Sequence, residues 1–177
     1  MSDWFEPEAA TGDDEDVWEF TTAELAFLSA LRDRAAAWRV PWAPSEVTRP
    51  EDESSLLVHV ALLDTRGLGL VLGHWAVHFY GTHVVAGRTV DDLLNVCEAP
   101  GRDWFRLAGT IDALAQRCAD WFEDVLSRPV FRVERQEPDG KVVTRWEFGG
   151  TEEPAADRDP SAPGAETPRT WRVRIRP

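Results

Sequence analysis

Between Ser55 and Arg88 the apolar and polar positions fall into three strand-like runs separated by two turns. Leu56 to Leu63 is almost wholly apolar, with Glu53-Ser54-Ser55 before it and Asp64-Thr65-Arg66-Gly67 after it, the pattern of a strand covered on both faces. Leu68 to Tyr80 separates at period two, with Val71, Trp75, Val77 and Phe79 on one side and Leu70, Leu72, His74, Ala76, His78 and Tyr80 on the other. The first set has the composition of a core face. The second turns polar toward Gly81-Thr82, where a short Gly-containing link predicts a hairpin into a third strand, His83 to Gly87. The result is an antiparallel meander over residues 56–88.

Helical periodicity appears twice. Thr21 and Glu24 have the spacing of a capping box, with Phe20 placed to staple onto Leu25. Leu25, Leu28, Leu31, Ala35 and Trp38 then recur at helical intervals, predicting an amphipathic helix over 21–38 that stops before Pro41. The loop from Pro41 to Ser54 reads as irregular. A second helix ends near Ser127 and starts near Arg102 or Thr110, with Ile111, Leu114, Ala115, Cys118, Trp121, Phe122 and Val125 along its apolar face. Between the meander and that helix, Thr89 has the character of an N-cap for a short helix over 90–96 with Asp91 and Asp92 in its first turn.

After Pro129 the strand period returns. Val130 to Arg135 and Val142 to Phe148 flank Glu137-Pro-Asp-Gly-Lys141, a turn signal that predicts a second hairpin. Residues 149–168 are small, acidic and proline-rich, without a large apolar side chain, and read as a disordered loop. Trp171, Val173 and Ile175 then alternate with arginines, a terminal strand expected to return beside Val142 to Phe148. The pattern as a whole predicts an α+β fold in which a sheet of five to six antiparallel strands carries two main helices. The expected organisation is an acidic, partly mobile lead-in over 1–19, a single domain over 20–148, the loop, and the C-terminal strand over 169–177.

Length and composition fit that outline. The 177 residues suit one domain, and a 43% hydrophobic, 29% charged mixture is that of a globular protein. No apolar run reaches membrane-spanning length and the first residues lack a signal-peptide pattern, so a cytoplasmic location is expected. Cys97 and Cys118 are expected to be reduced. A single lysine among 19 basic residues, with abundant alanine, suggests a GC-rich bacterial source.

Charge changes the functional picture. The net charge is −13, with nine acids and no base in the first 24 residues, and arginines gathered at the C-terminus. A nucleic-acid partner is therefore not expected, because phosphate binding requires a basic surface. A protein partner, for which a basic surface would be complementary, is the leading expectation. Its surface would comprise Trp4, Phe5, Asp13, Asp14, Glu15, Asp16, Trp18 and Trp42, since tryptophan is enriched at binding hot spots and the chain holds nine. A non-catalytic module follows, in the manner of an immunity or antitoxin-like inhibitor, an adaptor or a chaperone.

The alternative expectation is an enzyme or ligand-binding protein whose pocket is lined by His59, His74, His78, Tyr80 and His83, which include all four histidines of the chain. His74 and His78, four apart on a strand, are separated by about 13 Å and do not share an ion. A metal would need His59, another histidine and an acid such as Asp64, Asp91 or Asp92, and none is expected. Gly67, Gly69 and Gly73 lead into a strand rather than a helix, which argues against a dinucleotide cradle. No cofactor and no catalytic residues are expected.

Overall fold

The computed structural model describes residues 4–6, 19–41, 43–50, 54–64, 70–90, 94–97, 103–137, 139–149 and 170–176. The first helix, α1 (Thr22–Ala35), starts where its cap dictates: Thr21 Oγ1 accepts from the Glu24 backbone N–H at 3.2 Å, and Glu24 Oε2 accepts from the Thr21 N–H at 2.7 Å. Its buried stripe is Phe27, Leu28, Leu31 and Ala35, whereas Leu25, expected on that stripe, is 52% exposed. The helix also ends three residues earlier than its periodicity suggested. Trp38 lies beyond it, edge-on to Trp4 at 5.1 Å and to Phe5 at 6.0 Å.

The second helix, α2 (Ile111–Ser127), buries Leu114, Ala115, Cys118, Trp121, Phe122 and Val125, and carries Asp112 and Asp120 outward. Arg34 on α1 bonds Asp112 and Gln116 on α2, each at 2.7 Å, so the helices are neighbours.

Both cover one face of a five-stranded antiparallel sheet of order β1-β2-β3-β4-β5, formed by Ser45–Thr48, Leu56–Leu63, Val71–Phe79, His83–Arg88 and Trp104–Ala108. Phe27 of α1 stacks on Phe79 of β3 with centroids 4.3 Å apart, and Trp121 of α2 meets Phe105 of β5 at 5.7 Å. The three meander strands match the sequence reading. The flanking strands β1 and β5 do not: four residues pinned between prolines, and five residues directly before a helix, are too short to show a period of their own.

The expected helix over 90–96 is not present in the part described. Instead Thr89 and Val96 form an antiparallel bridge, Val90 N–H donates to Asn95 C=O at 3.0 Å, and Cys97 N–H donates to Arg88 C=O at 2.9 Å. Asp91 and Asp92, which suggested the helix, lie outside the described residues. The returning chain places Val96 directly above Gly87 of β4, where a Cβ would stand 2.4 Å from Val96 Cγ1. Only glycine leaves room for that approach.

By compactness the chain divides into two units: one comprises Met1–Leu63 and Leu70–Leu126, the other Asp64–Gly69 and Ser127–Pro177. The second unit is a three-stranded antiparallel sheet of order β7-β6-β8, built from Val130–Gln136 (β6), Val142–Phe148 (β7) and Thr170–Arg176 (β8). The β6–β7 hairpin closes as its turn residues indicate, with Gly140 at φ 85° and Glu137 N–H donating to Lys141 C=O at 2.7 Å. The terminal strand pairs with β6 rather than with β7, beside which it was expected. Across that pairing the Arg172 guanidinium lies 3.9 Å from the Phe131 ring centroid. The fold is thus α+β, with strands in two sheets instead of one. Of residues 149–168, expected to be a disordered loop, Gly149 is described and its N–H donates to the Pro129 C=O at 2.6 Å; the others lie outside the described residues, as does most of the lead-in. Among the described residues no helix is long and apolar enough to cross a membrane.

Candidate functional site

Alternation along the strands sorts the five-stranded sheet into two faces. One holds Val58, Trp75, Val77, Phe79, Val84 and Phe105 and packs on the helices. The register then assigns the histidines to the other. Leu57, His78, Val85 and Arg106 form one cross-strand row; Glu46, His59, Ala76, Gly87 and Trp104 form the next, and Ala61 pairs with His74 in a third. All four histidines therefore share the face opposite the two helices, although they come from three strands.

They form three groups with different chemistry. His78 is buried and satisfied: its Nε2–H donates to the Leu94 carbonyl at 3.2 Å, which leaves Nδ1 to accept from the Ser55 hydroxyl at 3.0 Å. Leu94, whose carbonyl accepts this bond, sits at φ 61°, a left-handed conformation that a residue with a Cβ adopts only at a cost. His78 is therefore a scaffold residue. His83 stacks on Tyr80 with centroids 4.7 Å apart and planes 7° apart, and its Nε2 is 3.5 Å from Arg106 Nη2. Tyr80 in turn lies parallel to His78 at 6.3 Å, so the aromatic rings form a short ladder near the exposed hairpin end.

His59 differs from both. Its residue is only 6% exposed, its Nε2 is 3.1 Å from Glu46 Oε2, and the His74 ring meets it edge-on at 5.5 Å. A carboxylate accepts and does not donate, so Nε2 carries the proton and Nδ1 presents a lone pair. That Nδ1 is buried and has no hydrogen-bond partner. The Trp104 Nε1, on the same cross-strand row, is likewise buried without a partner. Buried polar atoms are nearly always satisfied; the Trp121 Nε1 on α2 is in the same state as these two.

Burial pushes the His59 imidazole below its ordinary pKa; Glu46 opposes that shift and His74 reinforces it. Because the folded value is lowered, the unfolded chain takes up this proton first as the pH falls. Stability is therefore fully retained above the ordinary histidine range and declines below it. Urea unfolding between pH 7.5 and 5 is expected to show wild-type stability falling more steeply than that of a His59→Phe variant; parallel profiles would contradict the assignment.

Of the surface expected for a protein partner, Trp4 and Phe5 fall among the described residues. Trp4 and Phe5 are buried: Phe5 lies 5.1 Å from Phe122 of α2, and its N–H donates to Ser45 Oγ at 3.0 Å. Glu6 pairs with Arg32 at 2.6 Å. The two aromatic residues pin the start of the chain to the core, and their rings are not open to a partner. Asp13, Asp14, Glu15, Asp16, Trp18 and Trp42 lie outside the described residues.

Among the described residues no group of three or more metal-capable side chains converges. Asp64, considered as a third ligand, accepts from Trp146 Nε1 at 3.1 Å in the second unit. The buried Cys118 thiol is pushed up to about 12 by burial, which keeps it protonated and unreactive. Sequence reasoning missed Glu46, Ser55 and Arg106, the partners of three histidines. The alternation in Ser45-Glu-Val-Thr48 was the one available signal for Glu46.

Comparison of the chain with protein-family models, with curated proteins and with solved structures finds no match.

Proposed function

We propose that the protein binds a small polar ligand on the face of its five-stranded sheet opposite the two helices, with His59 as the central acceptor. The observation that carries this reading is the buried, unpartnered Nδ1 of His59, whose lone pair is oriented by the Glu46 carboxylate on the opposite side of the ring. A ligand O–H or N–H that reached this nitrogen, once the side chains over it moved aside, would satisfy it, and satisfying a buried acceptor removes a desolvation penalty of about 1–3 kcal/mol. His74 lies beside that nitrogen's ring as a second polar wall, while His78, held at both nitrogens, supports the sheet. The Tyr80–His83 stack forms a more exposed flank of the same face. Two free cysteines suit a reducing compartment such as the cytoplasm.

The reading is tested by ligand-observed NMR with a panel of small alcohols, amides and nucleobases against wild type and His59→Phe. We expect at least one compound to bind the wild type and to lose tenfold or more in affinity in the variant, with the melting profile showing that the variant is folded. A panel that binds neither protein, or both equally, would overturn the reading.

A further inference from the structure

A separate surface belongs to the second unit. Along β6, Phe131, Val133 and Arg135 alternate onto one face of the three-stranded sheet. The register adds Val143, Arg145 and Glu147 from β7, and Thr170, Arg172 and Arg174 from β8. Arg145, Val133 and Arg172 thus form a cross-strand row, and Glu147, Phe131 and Arg174 form the next. Val133 is buried between two arginines whose own side chains remain 59% and 54% exposed, and Arg135 is 51% exposed. The stems of Arg145 and Arg172 cover the apolar floor while their guanidinium groups stay in water.

Among the described residues four guanidinium groups occupy this face against two carboxylates. Glu147 takes Arg145 Nη2 at 2.8 Å and Arg172 Nε at 3.4 Å, and Glu137 takes Arg135 Nε at 3.3 Å. Each of those contacts uses one nitrogen of a group that carries five N–H donors, so capacity for further acceptors is left on all three arginines. In a chain of net charge −13 the face is thus locally positive, with Arg135, Arg145, Arg172 and Arg174 against Glu137 and Glu147.

We propose that this face docks an extended, acid-rich segment of a partner protein. Three features favour carboxylates on a peptide over a nucleic acid. The ion pairs that Arg135, Arg145 and Arg172 already make are to carboxylates. On β8, Arg172 and Arg174 stand two residues apart, about 7 Å, which is the repeat of same-side residues in an extended peptide. The net negative charge of the chain opposes a long polyanion, whereas a short acidic segment senses chiefly the local patch, because charges are screened beyond about 8 Å at physiological salt.

Fluorescence anisotropy of the full chain with a labelled twelve-residue peptide of alternating Glu and Ser tests the proposal, with the Lys–Ser peptide and an oligo-dT of equal length as comparison probes. We expect binding of the Glu–Ser peptide that weakens as salt rises, and at least a tenfold loss in the Arg145→Gln/Arg172→Gln double variant. A Thr170→Glu variant adds an acid on the same face without removing a stem from Val133, and is expected to weaken the peptide severalfold. His59→Phe is expected to leave the peptide affinity unchanged, which separates this surface from the ligand site. Absence of Glu–Ser binding up to millimolar peptide, equal binding of the Lys–Ser peptide, tighter binding of the oligonucleotide, or full affinity in the folded variants would each overturn the proposal.

Discussion

Phe27→Ala is expected to lower the unfolding free energy by about 3–5 kcal/mol, the range for deleting a fully buried ring from a packed core. Phe27 is fully buried, and its ring lies 8° from parallel with Phe79, 4.3 Å centroid to centroid. It joins α1 to the middle of the sheet. The neighbouring buried residues on α1, Leu28, Leu31 and Ala35, are smaller and fixed to a helix of 14 residues, so collapse into the vacated volume is limited. Urea unfolding of Phe27→Ala, Phe79→Ala and the double variant measures both quantities. The double variant should lose less than the sum of the singles, by about 1 kcal/mol, because each single removes the same ring pair. A loss below about 1 kcal/mol for Phe27→Ala would show that α1 does not depend on this contact.

Glu24→Ala is expected to cost about 3 kcal/mol, from two interactions lost together. Its carboxylate closes the capping box on Thr21 and also pairs with Arg49 at 2.7 Å, where both side chains are largely withdrawn from solvent. Truncation leaves the Arg49 guanidinium without its carboxylate, with the Phe20 ring at 5.9 Å as a remaining neighbour. Burial alone would push the Glu24 carboxyl up, but the bonds from Arg49 and Thr21 outweigh it and hold the group below its ordinary value. A lowered carboxylate contributes stability that is complete above its unfolded pKa and is lost as the pH falls through the folded one. The gap between wild type and Glu24→Ala should therefore be full at pH 7 and shrink toward pH 3. A gap of constant size across that range would assign the effect to packing instead.

How much of this was legible depended on whether a signal was local. The capping box is a three-residue device, and Thr21 with Glu24 announced the start of α1. The apolar face of α2 repeats over five turns, long enough to stand out. Gly140 and its neighbours specify a tight reversal within a few residues. Where the pattern ran short, it misled: Leu25 fits the helical stripe as well as Phe27 does, and only the position of Phe79 on β3 decides which of the two is buried. Thr89 followed by two acids resembles a helix start, yet the bridge from Thr89 to Val96 and the bare backbone of Gly87 make a close antiparallel return instead.

The candidate site shows the same division more sharply. That His74, His78 and Tyr80 fall on one side of a strand follows from the pleat alone. That His59 joins them, that Glu46 stands behind it, and that His78 is satisfied by Ser55 and Leu94 follow from strand register and from a return of the chain 16 residues away. The fates of Trp4 and Phe5 were equally nonlocal, since an aromatic pair in an acidic lead-in has the same composition whether it meets a partner or its own core.

The chain by itself determined its class, its two helices, its central meander and the hairpin at 130–148, because periodicity, caps and turns act over a few residues. Tertiary structure alone decided which sheet each strand entered, which face the histidines share, and which imidazole keeps an unpartnered nitrogen. Those are matters of which surfaces meet, and hydrogen-bond partners between distant strands leave no periodic trace along the chain.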